Sequence, residues 1–175
     1  MNIVAFGASA SKDSINKQFA IHAAQQFEGK KIILDLNDYP LPLYNIDVET
    51  EMGIPENAKS FYSQIQSADL LIISLAEHNG NFTAAFKSLF DWMSRYESNI
   101  FANKQLFLLS TSPGGRGGLS SLQTALSRFP IHGASILGHF SLPKFQENFN
   151  PSDGILNTDL KNEFEKIVVE IKSQL

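Results

Sequence analysis

Short apolar runs alternate along the chain with longer segments in which apolar residues recur every three or four positions. The short runs are typical of strands buried on both faces of a sheet, and the longer pattern is typical of amphipathic helices. The runs predict strands at 3–6, 31–36, 69–75, 106–110 and 135–142. The helical patterns include Ile15, Ala58, Phe82, Leu119 and Leu160, and Thr158 or Asp159 is expected to cap the last helix.

Strict alternation of strands and helices predicts an α/β fold, because each right-handed crossover lays a helix over a parallel sheet. Five such units predict one domain, residues 1–175, built as a three-layer sandwich with helices on both faces of a five-stranded sheet. The common doubly wound order for five strands is 2-1-3-4-5, which places a ligand where the loops after strands one and three meet. The irregular segments 37–55 and 143–157 are long enough to be functional or interface loops.

Composition excludes several kinds of chemistry. The chain has no cysteine, so disulfides, thiol catalysis and Cys-based zinc sites are excluded, and redox chemistry would need a bound cofactor. Its four histidines show no metal-ligand spacing, and its net charge of −4 comes with no basic stripe for nucleic acid. No apolar run reaches the ~20 residues that span a membrane, and no signal peptide is recognisable, so we expect a cytoplasmic protein.

The loop after the first strand carries hydroxyl groups and opens a helix. Residues 7–16 read GASASKDSIN and include Ser9, Ser11, Ser14 and Asn16. Unpaired N–H groups and partial positive charge at a helix N-terminus suit a phosphate, although serines there can equally be simple caps. The patterns GxGxxG and GxxxxGK[ST] are absent, which argues against a Rossmann dinucleotide site and a P-loop.

The loop after the third strand, residues 76–83, reads AEHNGNFT. Its Asn79-Gly80 pair predicts a tight turn with positive φ, which would expose backbone groups to a flat heterocycle. The alternative is a plain turn with His78 on its rim.

The loop after the fourth strand, residues 111–118, reads TSPGGRGG. Glycines let a planar ring approach the main chain, and several N–H groups pointing one way attract an anion. The alternative is a flexible hinge. Together the three loops match FMN, with its phosphate at the first loop and its ring between the others, at the switch point of a flavodoxin-like fold.

Four motifs in order make the chain similar to the NADPH-dependent FMN reductase family, which includes flavin, quinone, azo-dye and chromate reductases. They are GASASKDSIN at 7–16, DLNDYPLPLY at 35–44, EHNGN at 77–81 with KSLFDW at 87–92, and SPGGRGG at 112–118. The chain departs from the family pattern where Ala76 and His78 replace Pro and Tyr. In the first loop Ala10 or Ser11 replaces an Arg. These differences bear on ring stacking, FMN affinity and the choice between NADPH and NADH.

The resemblance implies that the FMN phosphate contacts the first loop, the isoalloxazine edge the second, and its pyrimidine end the third. The implied cofactor-binding residues are Ser9, Ser11, Ser14, Ile15, Asn16, Glu77, His78, Asn79, Gly80, Ser112, Pro113, Gly114 and Gly115. No side chain need act as acid or base, and His78 is the candidate proton donor. Asp91 and Trp92 lie on a helix that helps form dimers in the family, and Trp92 is equally explained by core packing.

The implied function is an FMN-dependent NAD(P)H oxidoreductase that reduces a small acceptor, such as a quinone, an azo compound or free flavin, in ping-pong order. FMN would be bound, with NADPH or NADH as hydride donor, in a homodimer or homotetramer. An alternative is a flavodoxin-like electron-transfer module without NAD(P)H oxidation. A third hypothesis is a serine hydrolase, because Gly7-Ala8-Ser9 begins a G-x-S-x-G elbow but lacks its last glycine.

Overall fold

The computed structural model describes residues 1–175 and contains a central sheet of five parallel strands. The strands are β1 (Asn2–Gly7), β2 (Lys30–Leu34), β3 (Leu70–Leu75), β4 (Gln105–Thr111) and β5 (Ser135–Leu142). Their order across the sheet is β2-β1-β3-β4-β5. The predicted strand order is therefore confirmed, and its reversal between β1 and β3 creates the expected switch point.

Helices cover both faces of the sheet, as predicted. The helices are α1 (Ile15–Gln25), α2 (Ile46–Met52), α3 (Glu56–Gln66), α4 (Ala84–Tyr96), α5 (Leu119–Arg128), α6 (Phe145–Asn148) and α7 (Thr158–Lys172). On one face, Phe61, Phe86 and Leu122 from α3, α4 and α5 join a core of 23 buried residues. On the other face, Phe19 and Phe164 from α1 and α7 join a second core of 19 buried residues.

The middle strand shows why its sequence is continuously apolar. All six residues of β3 are buried, with Leu71 and Ile73 in one core and Leu70 and Ile72 in the other. A strand covered on both faces has no solvent side, so its pattern does not alternate. The one polar residue among the six, Ser74, lies near the carboxyl end of the strand, next to the ends of β1 and β4.

Three predicted boundaries were wrong because side-chain capping ends or begins the elements elsewhere. β2 ends at Leu34, because Asp35 accepts a hydrogen bond from the Asn37 amide (2.9 Å) and starts a 3-10 turn. Phe82 lies in a short hairpin instead of a helix, because α4 begins only after Thr83, whose hydroxyl accepts from the Phe86 amide (3.2 Å). α7 is capped by Asn157, whose Oδ1 accepts from the Leu160 amide (3.0 Å), and not by Thr158 or Asp159.

The two long segments predicted to be irregular contain short elements of structure. The 37–55 segment includes α2, and the 143–157 segment includes α6 and a small antiparallel hairpin joining residues 149–150 to 154–155. The sequence did not predict these elements because both are short and α2 buries no residue, so neither carries the apolar periodicity of the main helices.

A half-buried histidine that packs against the second core makes stability depend on pH. The His22 ring lies between Phe149 and Phe164, with ring centroids 5.3 Å and 5.6 Å away. Burial lowers the pKa of His22 below its ordinary value of 6.5, and Lys161 lowers it further. The unfolded chain therefore binds this proton more readily, so the free energy of unfolding should fall as pH drops below about 6.5.

Urea unfolding at pH 7.5, 6.5 and 5.5 would measure this effect in the wild type and in His22→Gln. We expect the slope of stability against pH to be smaller in the variant. Replacing His139, which is exposed on β5, with glutamine is the matched control and should leave the slope unchanged. Equal slopes in the wild type and His22→Gln would contradict the prediction.

Candidate functional site

The loops that follow β1, β3 and β4 meet at the carboxyl edge of the sheet and line one cavity. Register brings them together, since Gly7 pairs with Ser74 on β3 and Leu75 pairs with Ser110 on β4. The predicted site residues that line the cavity are Ser9, Ser11, Ser14, Ile15, Asn16, Glu77, His78, Ser112 and Pro113. The lining residues that sequence reasoning missed are Asp13, Ala76, Thr111 and Gln146. The cavity lining does not include Asn79, Gly80, Gly114 or Gly115.

Asn16 ties the first loop to the ends of two strands. Its side chain is buried, and its Oδ1 accepts from the Ser74 hydroxyl (2.8 Å) and from the Thr111 amide (3.1 Å). Its Nδ2 donates to the Thr111 carbonyl (3.1 Å). The carboxamide is thus largely engaged within the protein, while the main-chain N–H groups of Ile15 and Asn16, in the first turn of α1, have no acceptor within the helix.

Capping by the serines leaves them able to bind a ligand. The Ser14 hydroxyl accepts from the Lys17 amide (3.1 Å) and caps α1, and the Ser9 hydroxyl accepts from the Ser11 amide (3.1 Å). A hydroxyl that accepts a hydrogen bond still has its own proton to donate. The nearby ammonium of Lys17 pairs with Asp35, which follows β2, so apart from the unpaired Lys12 the first loop offers neutral N–H and O–H donors.

The second loop forms the tight turn that its sequence predicts. Glu77 and His78 pair with Asn81 and Phe82 in a two-stranded hairpin, and Asn79 and Gly80 have φ values of 52° and 78°. Positive φ at both central residues is the mark of a type I′ hairpin turn. The His78 side chain is exposed on this hairpin, at the rim of the cavity.

Glu77 joins the second loop to the third. Its Oε2 accepts hydrogen bonds from the Ser120 amide (2.8 Å) and the Ser121 amide (3.2 Å), at the N-terminus of α5. The residue at the N-cap of α5, Gly118, has no side chain to supply this cap, so a carboxylate from another loop does so. Sequence reasoning missed this contact because 43 residues separate Glu77 from Ser120 and no local pattern reports it.

The four glycines of the third loop divide into two pairs. Gly117 and Gly118 have φ values of 59° and 76°, and a Cβ on Gly117 would lie 2.5 Å from the Ser141 hydroxyl, so the fold itself requires them. Gly114 and Gly115 have no positive φ, and a Cβ on Gly115 would meet nothing within 4 Å. No contact within the chain therefore explains why residues 114 and 115 are glycines. A ligand lying against the main chain would explain it.

The third loop is held in place and is not a free hinge. The Gly114 carbonyl accepts from the Lys144 amide (3.0 Å), and the Ser112 carbonyl accepts from the Phe145 amide (3.1 Å). The main-chain N–H groups of residues 114–116, by contrast, donate to no acceptor in the protein. A fixed loop with free donors and open space above it fits the edge of a planar, hydrogen-bonding ring such as the flavin of FMN.

Trp92 packs within the chain. It is fully buried, and its Nε1 donates to the Pro42 carbonyl (2.9 Å), which also accepts from the Ser88 hydroxyl (3.0 Å). Its ring meets Tyr44 edge to face at 5.0 Å. The second and third sequence motifs are therefore in contact, with the 41–44 segment anchored on α4.

The serine hydrolase hypothesis lacks the contact that it requires. No histidine nitrogen is hydrogen-bonded to Ser9, whose hydroxyl instead accepts from the Ser11 amide. A nucleophilic serine needs a base within hydrogen-bond reach. No cluster of three or more histidine, aspartate or glutamate side chains is arranged to hold a metal ion. None of the helices combines the length and the apolar character needed to cross a membrane.

A doubly wound sheet with a polar cavity, a hairpin and an open glycine loop at its switch point defines a flavodoxin-like flavoprotein. The chain belongs to the NADPH-dependent FMN reductase family, whose model matches residues 1–147. It is therefore an FMN-dependent NAD(P)H oxidoreductase, as the sequence motifs predicted. Membership in a reductase family also decides against the alternative of an electron carrier without NAD(P)H oxidation.

Individual relatives agree with this assignment. An NADPH azoreductase from Bacillus sp. (strain OY1-2) is 28% identical over 179 residues, covering 100% of this chain and 93% of the relative. A 2-hydroxy-1,4-benzoquinone reductase from Burkholderia sp. is 33% identical over 119 residues, covering 67% of this chain and 63% of the relative. The flavoenzyme NAD(P)H:(acceptor) oxidoreductase of Paracoccus denitrificans has the same fold, with a TM-score of 0.73, 20% identity and coverage of 98% and 97%.

Proposed function

We propose that this chain holds FMN across the three loops at the carboxyl edge of the sheet and reduces small aromatic acceptors of the azo or quinone type with NAD(P)H. The observation that carries the proposal is the open main chain at Gly114 and Gly115, whose free N–H groups no contact in the protein uses. The acceptor class is supported by two relatives, which are named NADPH azoreductase and 2-hydroxy-1,4-benzoquinone reductase.

In this proposal the FMN phosphate is held by neutral donors of the first loop. The donors are the hydroxyls of Ser9, Ser11 and Ser14 and the main-chain amides of Ile15 and Asn16. The partial positive charge at the N-terminus of α1 stabilises the phosphate without a paired cation. Asn16 has a second role, because its buried carboxamide keeps the start of α1 beside β3 and β4.

The flavin ring would lie between the second and third loops. The backbone of the hairpin, Glu77 to Gly80, would hold one edge of the ring, and Ser112 to Gly115 would hold its pyrimidine end. When bound there, FMN would supply the redox chemistry, taking a hydride from NAD(P)H and giving two electrons to the acceptor. The two protons that the acceptor gains come with the hydride and from solvent, and the exposed His78 is available to donate the second.

The same proposal includes the assembly of the chain. We propose a homodimer, which can pair into a tetramer, of single FMN-binding domains of residues 1–175 located in the cytoplasm. Large apolar side chains around α2 support an interface, because Leu43, Ile46 and Met52 are 71%, 58% and 56% exposed. Light scattering of the protein with FMN bound should give a molar mass at least twice that of one chain. A mass equal to one chain would contradict the proposal.

The absorbance spectrum of the purified protein, reconstituted with FMN, tests the function directly. We expect a flavin spectrum that bleaches when NADPH or NADH is added without oxygen and returns when a benzoquinone or an azo dye follows. A spectrum that neither nicotinamide changes would contradict the hydride step. A protein that binds no FMN at all would contradict the proposed site.

A further inference from the structure

Two positively charged side chains on the loops that form the site have no carboxylate partner. They are Lys12 in the first loop and Arg116 in the third. The other cations close to this edge are already paired, Lys17 with Asp35 and Lys144 with Glu147. Since a paired cation has less charge to offer a ligand, Lys12 and Arg116 are the candidates for binding an anion here.

Arg116 is the better prepared of the two. Its guanidinium donates to the Ser120 hydroxyl (3.1 Å) on the first turn of α5, which leaves most of its five N–H donors free. The backbone beneath it is fixed, because the Arg116 carbonyl accepts from the Leu119 amide (3.0 Å) and the next carbonyl, of Gly117, accepts from the Ser141 hydroxyl (3.0 Å). Exposed Lys12 has no hydrogen bond that orients it.

The carboxylate that could neutralise Arg116 is engaged elsewhere. Glu77 is the acidic side chain whose carboxylate reaches the first turn of α5, and it accepts from the main-chain amides of Ser120 and Ser121. Arg116 and Glu77 form no ion pair. The guanidinium thus stays exposed and available, in the geometry that suits bidentate contact with a phosphate.

We propose that Arg116 binds the 2′-phosphate of NADPH and makes this chain prefer NADPH to NADH. This inference rests on the proposed function, in which the FMN phosphate occupies the first loop and the flavin ring extends to the third. Arg116 lies at the ring end, away from the FMN phosphate, so the anion that it serves belongs to a second ligand. The two nicotinamides differ only in the 2′-phosphate, and a charge-assisted contact to it discriminates between them.

The test compares the FMN-loaded wild type with Arg116→Ala, Arg116→Lys and Lys12→Ala. Stopped-flow bleaching gives the rate of flavin reduction against NADPH and NADH concentration, and calorimetry gives the affinity for 2′,5′-ADP. In Arg116→Ala we expect the preference for NADPH to fall roughly ten- to a hundredfold, with NADH little changed and 2′,5′-ADP affinity reduced. Arg116→Lys should retain part of the preference, and Lys12→Ala should retain nearly all of it.

Three outcomes would overturn the assignment. Equal losses with both nicotinamides in Arg116→Ala would mean that the residue supports the loop, and a loss of FMN affinity would place it in the cofactor site. Loss of preference in Lys12→Ala alone would give the role to Lys12. Each of these leaves the proposed function intact, whereas a wild-type holoprotein that oxidises neither nicotinamide would overturn the function, and the role of Arg116 with it.

Discussion

Replacing Asn16 with alanine is expected to lower the free energy of unfolding by about 3 kcal/mol. The substitution removes three buried hydrogen bonds that join α1 to β3 and β4. It also leaves the Ser74 hydroxyl and the Thr111 amide without their acceptor, at positions that are 0% and 1% exposed. A buried polar group left without a partner costs more than the lost bond, because water cannot replace it.

Urea unfolding of the protein without FMN measures this loss. The matched control is Asn57→Ala, which removes a single hydrogen bond from a side-chain amide to the Pro40 carbonyl (2.9 Å) near the surface. We expect less than about 1 kcal/mol from the control, because water can reach the freed carbonyl. If Asn16→Ala were no more destabilising than Asn57→Ala, the hydrogen bonds of Asn16 to β3 and β4 would not stabilise the fold as described above.

Replacing Gly115 with valine should weaken FMN binding by about a hundredfold, or about 2.7 kcal/mol, while leaving the protein folded. The branched side chain would occupy the space above the main chain where the proposal puts the flavin ring. Nothing in the chain lies within 4 Å of a Cβ at this position, and its φ is not positive. The stability of the FMN-free protein should therefore change by no more than about 0.5 kcal/mol.

Gly117→Ala, in the same loop, should instead lower the stability of the FMN-free protein. Its φ of 59° disfavours any side chain, and its Cβ would lie 2.5 Å from the Ser141 hydroxyl and 2.9 Å from the Leu142 carbonyl carbon. We expect a loss of stability of at least about 1 kcal/mol without FMN present. Flavin fluorescence titration and thermal unfolding separate the two effects, and unchanged FMN affinity in Gly115→Val would show that the ring lies elsewhere.

The loops of the site were predictable because strand and turn signals are local. Continuous apolar strands required a covered parallel sheet, and the switch point then followed from the usual order of five strands. Asn79-Gly80 encodes its turn in two residues, and the φ values of both confirm it. The boundaries that were wrong, at Leu34, Phe82 and Asn157, all depend on which side chain caps a backbone group, a choice decided by small local energies.

The roles of Glu77 and Asn16 could not be predicted, although both residues were assigned to the site. Both were expected to contact FMN, and no sequence signal indicated that the Glu77 carboxylate caps α5 or that the Asn16 carboxamide joins two strands. The partners of these side chains lie 43 and 95 residues away. Sequence patterns identify polar residues near a site, but they do not show which donor will form a hydrogen bond with which acceptor.

The sequence by itself determined the strand order, the edge of the sheet at which the polar cavity lies and the reductase family, because periodicity and short motifs carry that information. Tertiary structure alone distinguished the two glycines that the fold requires, Gly117 and Gly118, from Gly114 and Gly115, which leave space open. It also left Arg116 without a carboxylate partner while Lys17 and Lys144 found theirs. Such differences arise from packing and pairing between distant segments, where burial and the competition for hydrogen-bond partners decide the outcome.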